Sequence, residues 1–140
     1  MKIRWTNDSI RMRITPSEME ALRRNEIVRE RLSFASPENG WSAAILPGVA
    51  ETSVQIVGGS LLIRLAYQDL HALCEPDCEG VYFTSQEDGI KDAVVEGSVE
   101  RAVRYYIEKD FPCVHPRTSE TMEPSTETFP APEGFEQRKQ

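Results

Sequence analysis

No apolar run in the 140-residue chain approaches the ~20 residues that a membrane-spanning helix needs, and charge is interleaved from Lys2 and Arg4 onward. The sequence therefore predicts neither a membrane span nor a secretory leader. Cysteine is scarce: three residues, an odd number, leave at least one thiol unpaired within the chain, which excludes a fully paired disulfide scaffold and suits a reducing cytoplasm. Histidine is scarcer, with only His71 and His115, so triad chemistry has little room. A P-loop, a Gly-x-Gly-x-x-Gly opening a helix, His-Glu-x-x-His and Gly-x-Ser-x-Gly are all absent, and Gly58-Gly59 alone reads as a turn. These absences lean the reading away from an enzyme. There is also no internal repeat at the periods of solenoids or propellers.

What is present suits one ordinary globular domain. The hydrophobic share is 39% and the charged share 28%, so apolar burial can offset chain entropy without a metal or disulfide staple. The net charge of −7 argues against general affinity for nucleic acid or anionic membranes, because counterion release needs clustered cations. That charge is unevenly spread. Residues 1–31 carry eight cations and five anions, an excess of three positive charges that leaves −10 on the remainder. A local anion-facing surface near the start is therefore compatible with an acidic chain.

The opening reads as a β-hairpin: Lys2 to Thr6 and Ser9 to Ile14 flank Asn7-Asp8, residues that tolerate a tight turn. Ile10, Met12 and Ile14 share one pleat face, Arg11 and Arg13 the other. Thr15-Pro16-Ser17-Glu18 then predicts a helix start with a capping box, Asn25 a left-handed stop, and Met19 and Leu22 an inward face. Ile27 to Phe34 predicts a strand with Val28, Leu32 and Phe34 on one side. Pro37-Glu38-Asn39-Gly40 predicts a turn before a strand from Trp41 to Leu46. Thr52 to Val57 and Ser60 to Leu65, joined by Gly58-Gly59, form the best-defined hairpin. Tyr67 to Cys74 predicts a second short helix with Tyr67, Leu70, His71 and Cys74 on one face. Val81 to Phe83 suggests a strand, and Glu87-Asp88-Gly89 its turn. Between Ser98 and Phe111 helical and strand periodicities coexist and leave the element open.

The fold expected is α+β: a mainly antiparallel sheet or partly open barrel with two short helices, in one domain over residues 1–115. Residues 116–140, rich in Pro, Thr, Ser and Glu, are expected to be a disordered acidic tail, in which Phe129 and Phe135 are the residues able to dock on the body.

Several blocks together resemble a known family. They are Lys2-Ile3-Arg4, Ser9 through Glu18, the run Ile107-Glu108-Lys109-Asp110-Phe111-Pro112-Cys113-Val114-His115-Pro116, and more weakly Phe129-Pro130-Ala131-Pro132. The chain resembles an uncharacterised family of small bacterial proteins, a domain of unknown function with a basic N-terminal hairpin and a late Glu-Lys-Asp-Phe-x-Cys element. The resemblance implies a β-rich cytosolic protein and a strand over Ala102 to Lys109. It implies no reaction. The chain departs from the family's pattern at Pro112 and in carrying Cys74 and Cys78.

Four groups of residues could carry chemistry. Cys74-x-x-x-Cys78 with Cys113-x-His115 offers the ligand types of tetrahedral zinc, at spacing poorer than that of a close knuckle; buried cysteines and a surface histidine are the commoner reading of such a set. Cys113 with His115 nearby could also be a reactive thiol, set against a thiol that merely caps the core. Glu108 and Asp110 alternate with Lys109 and could project from one strand face, which a solvated edge explains without chemistry. Arg4, Arg11 and Arg13, with Lys2, could make a guanidinium-bearing sheet face for carboxylate or phosphate partners, or pair internally with Glu30, Glu108 or the tail. The reading favoured is a cytoplasmic, non-enzymatic binding module whose basic hairpin face takes an acidic or extended protein partner, needs no cofactor and engages no membrane. The alternative is a thiol- or zinc-dependent protein centred on Cys113 and His115.

Overall fold

The computed structural model describes residues 1–34, 36–85, 102–112 and 127–135, with the backbone alone at 36–38. In chain order the elements are β1 (Lys2–Trp5), β2 (Ser9–Ile14), α1 (Pro16–Arg23), β3 (Val28–Phe34), β4 (Ser36–Val49), β5 (Ser53–Val57), β6 (Ser60–Ala66), α2 (Tyr67–Cys74), β7 (Gly80–Thr84) and β8 (Arg104–Lys109). The fold is α+β with low helical content and is not a closed barrel. It is built on two four-stranded sheets, ordered β1-β2-β8-β7 and β3-β4-β6-β5.

Both sheets follow one plan. Outer strands pair antiparallel with inner ones, and the two inner strands pair parallel: β2 with β8 in the first sheet, β4 with β6 in the second. Antiparallel pairing thus dominates, as alternation and turn chemistry predict, while the parallel β2/β8 pairing joins segments far apart in sequence and the parallel β4/β6 pairing spans one intervening strand.

Local sequence explains the boundaries. Thr15 accepts from the Glu18 backbone N–H at 3.3 Å and Glu18 Oε2 accepts from the Thr15 N–H at 2.9 Å, completing the capping box, with Pro16 at the first helical position. Asn25 ends the turn after α1 in the left-handed region, at φ 64°. Gly58, at φ 56°, makes the tight connection in which Val57 faces Ser60. The Met1 amino group pairs with Glu18 of α1 and, at 2.8 Å, with Glu30 of β3, which ties the start of β1 to the second sheet.

One apolar cluster joins both sheets and both helices. Its fully buried members include Met12 and Ile14 of β2, Leu22 of α1, Ile45 of β4, Ile63 and Leu65 of β6, Leu73 of α2 and Ile107 of β8. Each such side chain contributes about 1.5–3 kcal/mol through removal from water. No helix among the described residues is long and apolar enough to cross a membrane.

The structure corrects several sequence expectations. The turn placed at Pro37–Gly40 lies inside β4, where Gly40 faces Ser33, because the β3/β4 pairing continues through an irregular register at Ser33/Phe34. Only Val28 of the predicted inward row of β3 is buried; Leu32 is 55% and Phe34 58% exposed. In α2 the fully buried residue is Leu73, whereas Tyr67 and His71 face outward, so the apolar stripe is rotated from the one predicted. Within the described part of the ambiguous segment, Arg104–Lys109 form a strand, β8, which lies inside its sheet rather than at an edge. Residues 127–135 pack on the end of β8 through the two phenylalanines named as able to dock: the Phe129 N–H donates to the Asp110 carbonyl at 2.9 Å, and Phe135 is buried with its ring 5.0 Å from that of Phe111. The turn expected at Glu87-Asp88-Gly89 lies outside the described residues, as does the rest of the tail.

Candidate functional site

Register decides which side chains of the first sheet share its outer face. Lys2 stands opposite Arg13 and Arg4 opposite Arg11 across β1/β2. Across β2/β8, Arg11 stands opposite Tyr106 and Arg13 opposite Glu108, and across β7/β8 Tyr82 stands opposite Tyr106. Because Ile10, Met12 and Ile14 turn into the core, period-2 geometry sends Arg11 and Arg13 outward. The result is one open face bearing Lys2, Arg4, Arg11, Arg13 and Arg104 with the Tyr82/Tyr106 pair.

Glu108 is the carboxylate at the centre of this face. Arg11 Nε approaches Oε1 at 3.4 Å and Arg13 Nε approaches Oε2 at 3.6 Å, so one anion serves two cations. Its side chain has room because Gly80 sits across the strand: a Cβ there would stand 2.8 Å from Glu108 Cγ and 2.9 Å from the Ile107 carbonyl oxygen. Arg11 also lies over the Tyr106 ring, 5.6 Å from its centroid, a cation–π contact that restrains the guanidinium. Tyr106 in turn meets Tyr82 edge to face at 5.3 Å. Partial burial, followed by the nearby Glu108 and Glu79 carboxylates, pushes the Tyr82 phenol above its ordinary pKa.

The remaining cations differ in their partners. Lys2 Nζ lies 2.8 Å from Asp110 Oδ2, a buried oxygen without an aligned hydrogen bond among the described residues, so the contact is ionic attraction. Arg104 donates to Asp8 at 2.7 Å, and this hydrogen bond, aided by one from Thr6, holds the Asp8 carboxyl below its usual range. Arg4 is exposed and has no ion-pair partner among the described residues.

The run from Glu108 to Phe111 makes four different attachments in four residues. Glu108 serves the arginines of β2. Lys109, buried, donates to the Glu75 carbonyl at 2.7 Å at the end of α2 and lies 5.7 Å from the Phe129 ring centroid. Asp110, 2% exposed, faces Lys2 of β1, while Phe111 packs against Phe129 and Phe135. Lys109 is thus no edge protector, and Glu108 and Asp110 are internal ion-pair partners rather than a solvated strand edge.

Arg4, Arg11 and Arg13 are brought onto one face, as the hairpin register predicts. Sequence reasoning missed Arg104, Tyr82 and Tyr106, which join them only through the parallel β2/β8 pairing. Of the thiol set, Cys74 and Cys78 are half-buried free cysteines: Cys74 Sγ lies 3.6 Å from Met19 Sδ, and Cys78 Sγ donates to the Gly80 carbonyl at 3.3 Å. Burial pushes the Cys74 thiol up, which disfavours the thiolate that a nucleophile or zinc ligand needs. Among the described residues no group of three or more His, Cys, Asp or Glu is placed to hold a metal. Cys113 and His115 lie outside the described residues.

No curated protein and no solved structure compared with the chain matches it. The model of the family described as "Family of unknown function (DUF7009)" matches residues 1–133, and the chain belongs to that family.

Proposed function

We propose that the chain is a binding module whose open face on the first sheet takes an acidic, extended protein segment. The observation that carries this reading is the charge imbalance across the face. Five cations, Lys2, Arg4, Arg11, Arg13 and Arg104, stand against the paired carboxylates Glu108, Asp110 and Asp8 and the Glu79 carboxylate near Tyr82, in a chain of net charge −7. A positive excess held on a rigid sheet inside an acidic protein attracts acidic segments while the rest of the surface repels them, which favours one docking orientation. The stacked Arg11 loses less freedom on binding than a free side chain, and guanidinium forks match carboxylates. Half-buried, unpaired Cys74 and Cys78 suit a reducing cytoplasmic setting.

The test is fluorescence anisotropy of a labelled oligo-glutamate peptide titrated with the full chain at several salt concentrations. Affinity is expected to fall as salt rises and to drop about tenfold in the Arg11→Ala/Arg13→Ala double variant, the scale of losing two charge-assisted contacts. Binding that ignores both salt and the double substitution overturns the reading.

A further inference from the structure

The outer edge of β1 borders the cationic face, and its two sides differ. Lys2 and Arg4 point outward, whereas Ile3 and Trp5 turn toward the core side, where Ile3 packs against the cluster and Trp5 remains 63% exposed. The Trp5 ring sits 5.2 Å from that of Trp41 on β4, and Leu32, facing Trp41 across β3/β4, is also more than half exposed. Among the described residues β1 pairs with β2 alone, so alternate backbone N–H and C=O groups of β1 face away from the sheet.

We infer that this edge accepts an added β-strand in which acidic residues alternate with apolar ones. The inference rests on the acidic-partner reading above and specifies how such a partner binds. A strand paired to β1 alternates its side chains between the two faces, so every second residue lies beside Lys2 and Arg4 and the others lie beside Ile3 and Trp5. Carboxylates match the first row, and Val-like or aromatic side chains the second. A second copy of the same edge is disfavoured, because β1 against β1 sets Lys2 and Arg4 against like charges. Arg4, without an ion-pair partner of its own among the described residues, is the cation best placed to read the strand. At its start β1 is held by the Met1 contact to Glu30, so the added strand runs along a fixed edge from Lys2 to Trp5.

Three labelled peptides and the full chain test this. The first alternates Glu and Val; the second has the same composition in two blocks; the third is the alternating peptide N-methylated at alternate residues on the edge that would face β1. The alternating peptide is expected to bind at least about tenfold more tightly than the other two, the scale of two lost backbone hydrogen bonds for the N-methylated peptide and of mismatched side-chain rows for the blocked one. Arg4→Glu, a change at an exposed position, is expected to abolish that preference and transfer it to an alternating Lys and Val peptide. If alternating and blocked peptides bind equally in a salt-dependent way, strand addition is overturned and the acidic-face reading stands. If neither binds, both fall. If the alternating peptide binds best but ignores Arg4→Glu, another edge is the site and the inference about β1 is wrong.

Discussion

Lys109 donates from Nζ to the Glu75 carbonyl at 2.7 Å, so a buried cation from the centre of the first sheet satisfies an acceptor at the C-terminal end of α2. The last carbonyls of a helix lack intrahelical donors and carry the negative end of its dipole, so a cation held there satisfies both. Its neighbour Phe129 covers the ammonium, and the backbone N–H of Lys109 donates to the Glu79 carbonyl at 2.9 Å. One residue therefore fixes α2, the loop after it and the 127–135 segment to β8.

Lys109→Met, which keeps most of the aliphatic stem, is expected to lower unfolding free energy by about 1.5–3 kcal/mol, the range for a hydrogen bond from a charged donor. Urea denaturation measures it. A midpoint and slope equal to those of the parent chain would show that the contact contributes nothing.

Glu108 gives a prediction with opposite signs. Replacing it by Gln removes the anion shared by Arg11 and Arg13, and at 16% side-chain exposure the stability loss should be about 1 kcal/mol. The freed guanidiniums should at the same time bind the oligo-glutamate peptide about two- to fivefold more tightly, since an internal competitor has gone. A variant that is both less stable and weaker at binding would show that Glu108 orients the arginines instead of competing for them.

The Asp8 and Arg104 pair makes a statement about pH. The hydrogen bond from Arg104 keeps the Asp8 carboxyl below its ordinary value of 3.8, so folding favours the charged form. A depressed folded pKa contributes stability above the unfolded value, and that contribution disappears as pH falls through the folded one, so the window lies below about pH 4. The pair is exposed, and its effect is best seen site by site. Carboxyl-carbon NMR titration is expected to place the Asp8 midpoint below that of a free aspartate and to return it toward 3.8 in Arg104→Gln. Identical midpoints in the two proteins would disprove the pairing.

How much of this was legible beforehand depended on the range of each interaction. The Thr15/Glu18 capping box, the Asn25 stop and the Gly58-Gly59 turn involve residues within a few positions of one another, so their chemistry can be read directly from the chain. The partnership of Arg11 with Tyr106 cannot, because β2 and β8 are brought together by a parallel pairing that alternation does not encode. Val103 and Ile107 fit both the helical and the strand period, and the fold resolves the segment by setting Tyr105 opposite Phe83 and Ile107 opposite Val81. Leu32 and Phe34 misled for another reason: they keep the parity of Val28, yet at that end of β3 they stay more than half exposed, while Trp5 meets Trp41 on the neighbouring strand. Pattern specifies a face, and neighbours decide whether it is covered.

Cys74 supplies the last prediction, and it bears on the thiol chemistry that the sequence suggested. Its sulfur lies against Met19 Sδ, and burial, opposed by Arg23 and Lys109, leaves the thiol pKa above its ordinary 9.0. A raised thiol pKa in the folded state means that its stability contribution is complete below the unfolded value and is lost as pH rises beyond it, so Cys74 should weaken the fold only in the alkaline range. The same burial removes thiolate near neutrality, and alkylation with iodoacetamide, resolved for each cysteine by peptide mass mapping, should be slower at Cys74 than at a free thiol at about pH 8, then rise to the free rate on unfolding in urea. Rapid labelling of Cys74 in the folded chain would instead mean an exposed, activated sulfur, and would return a thiol-centred activity to the front of the argument.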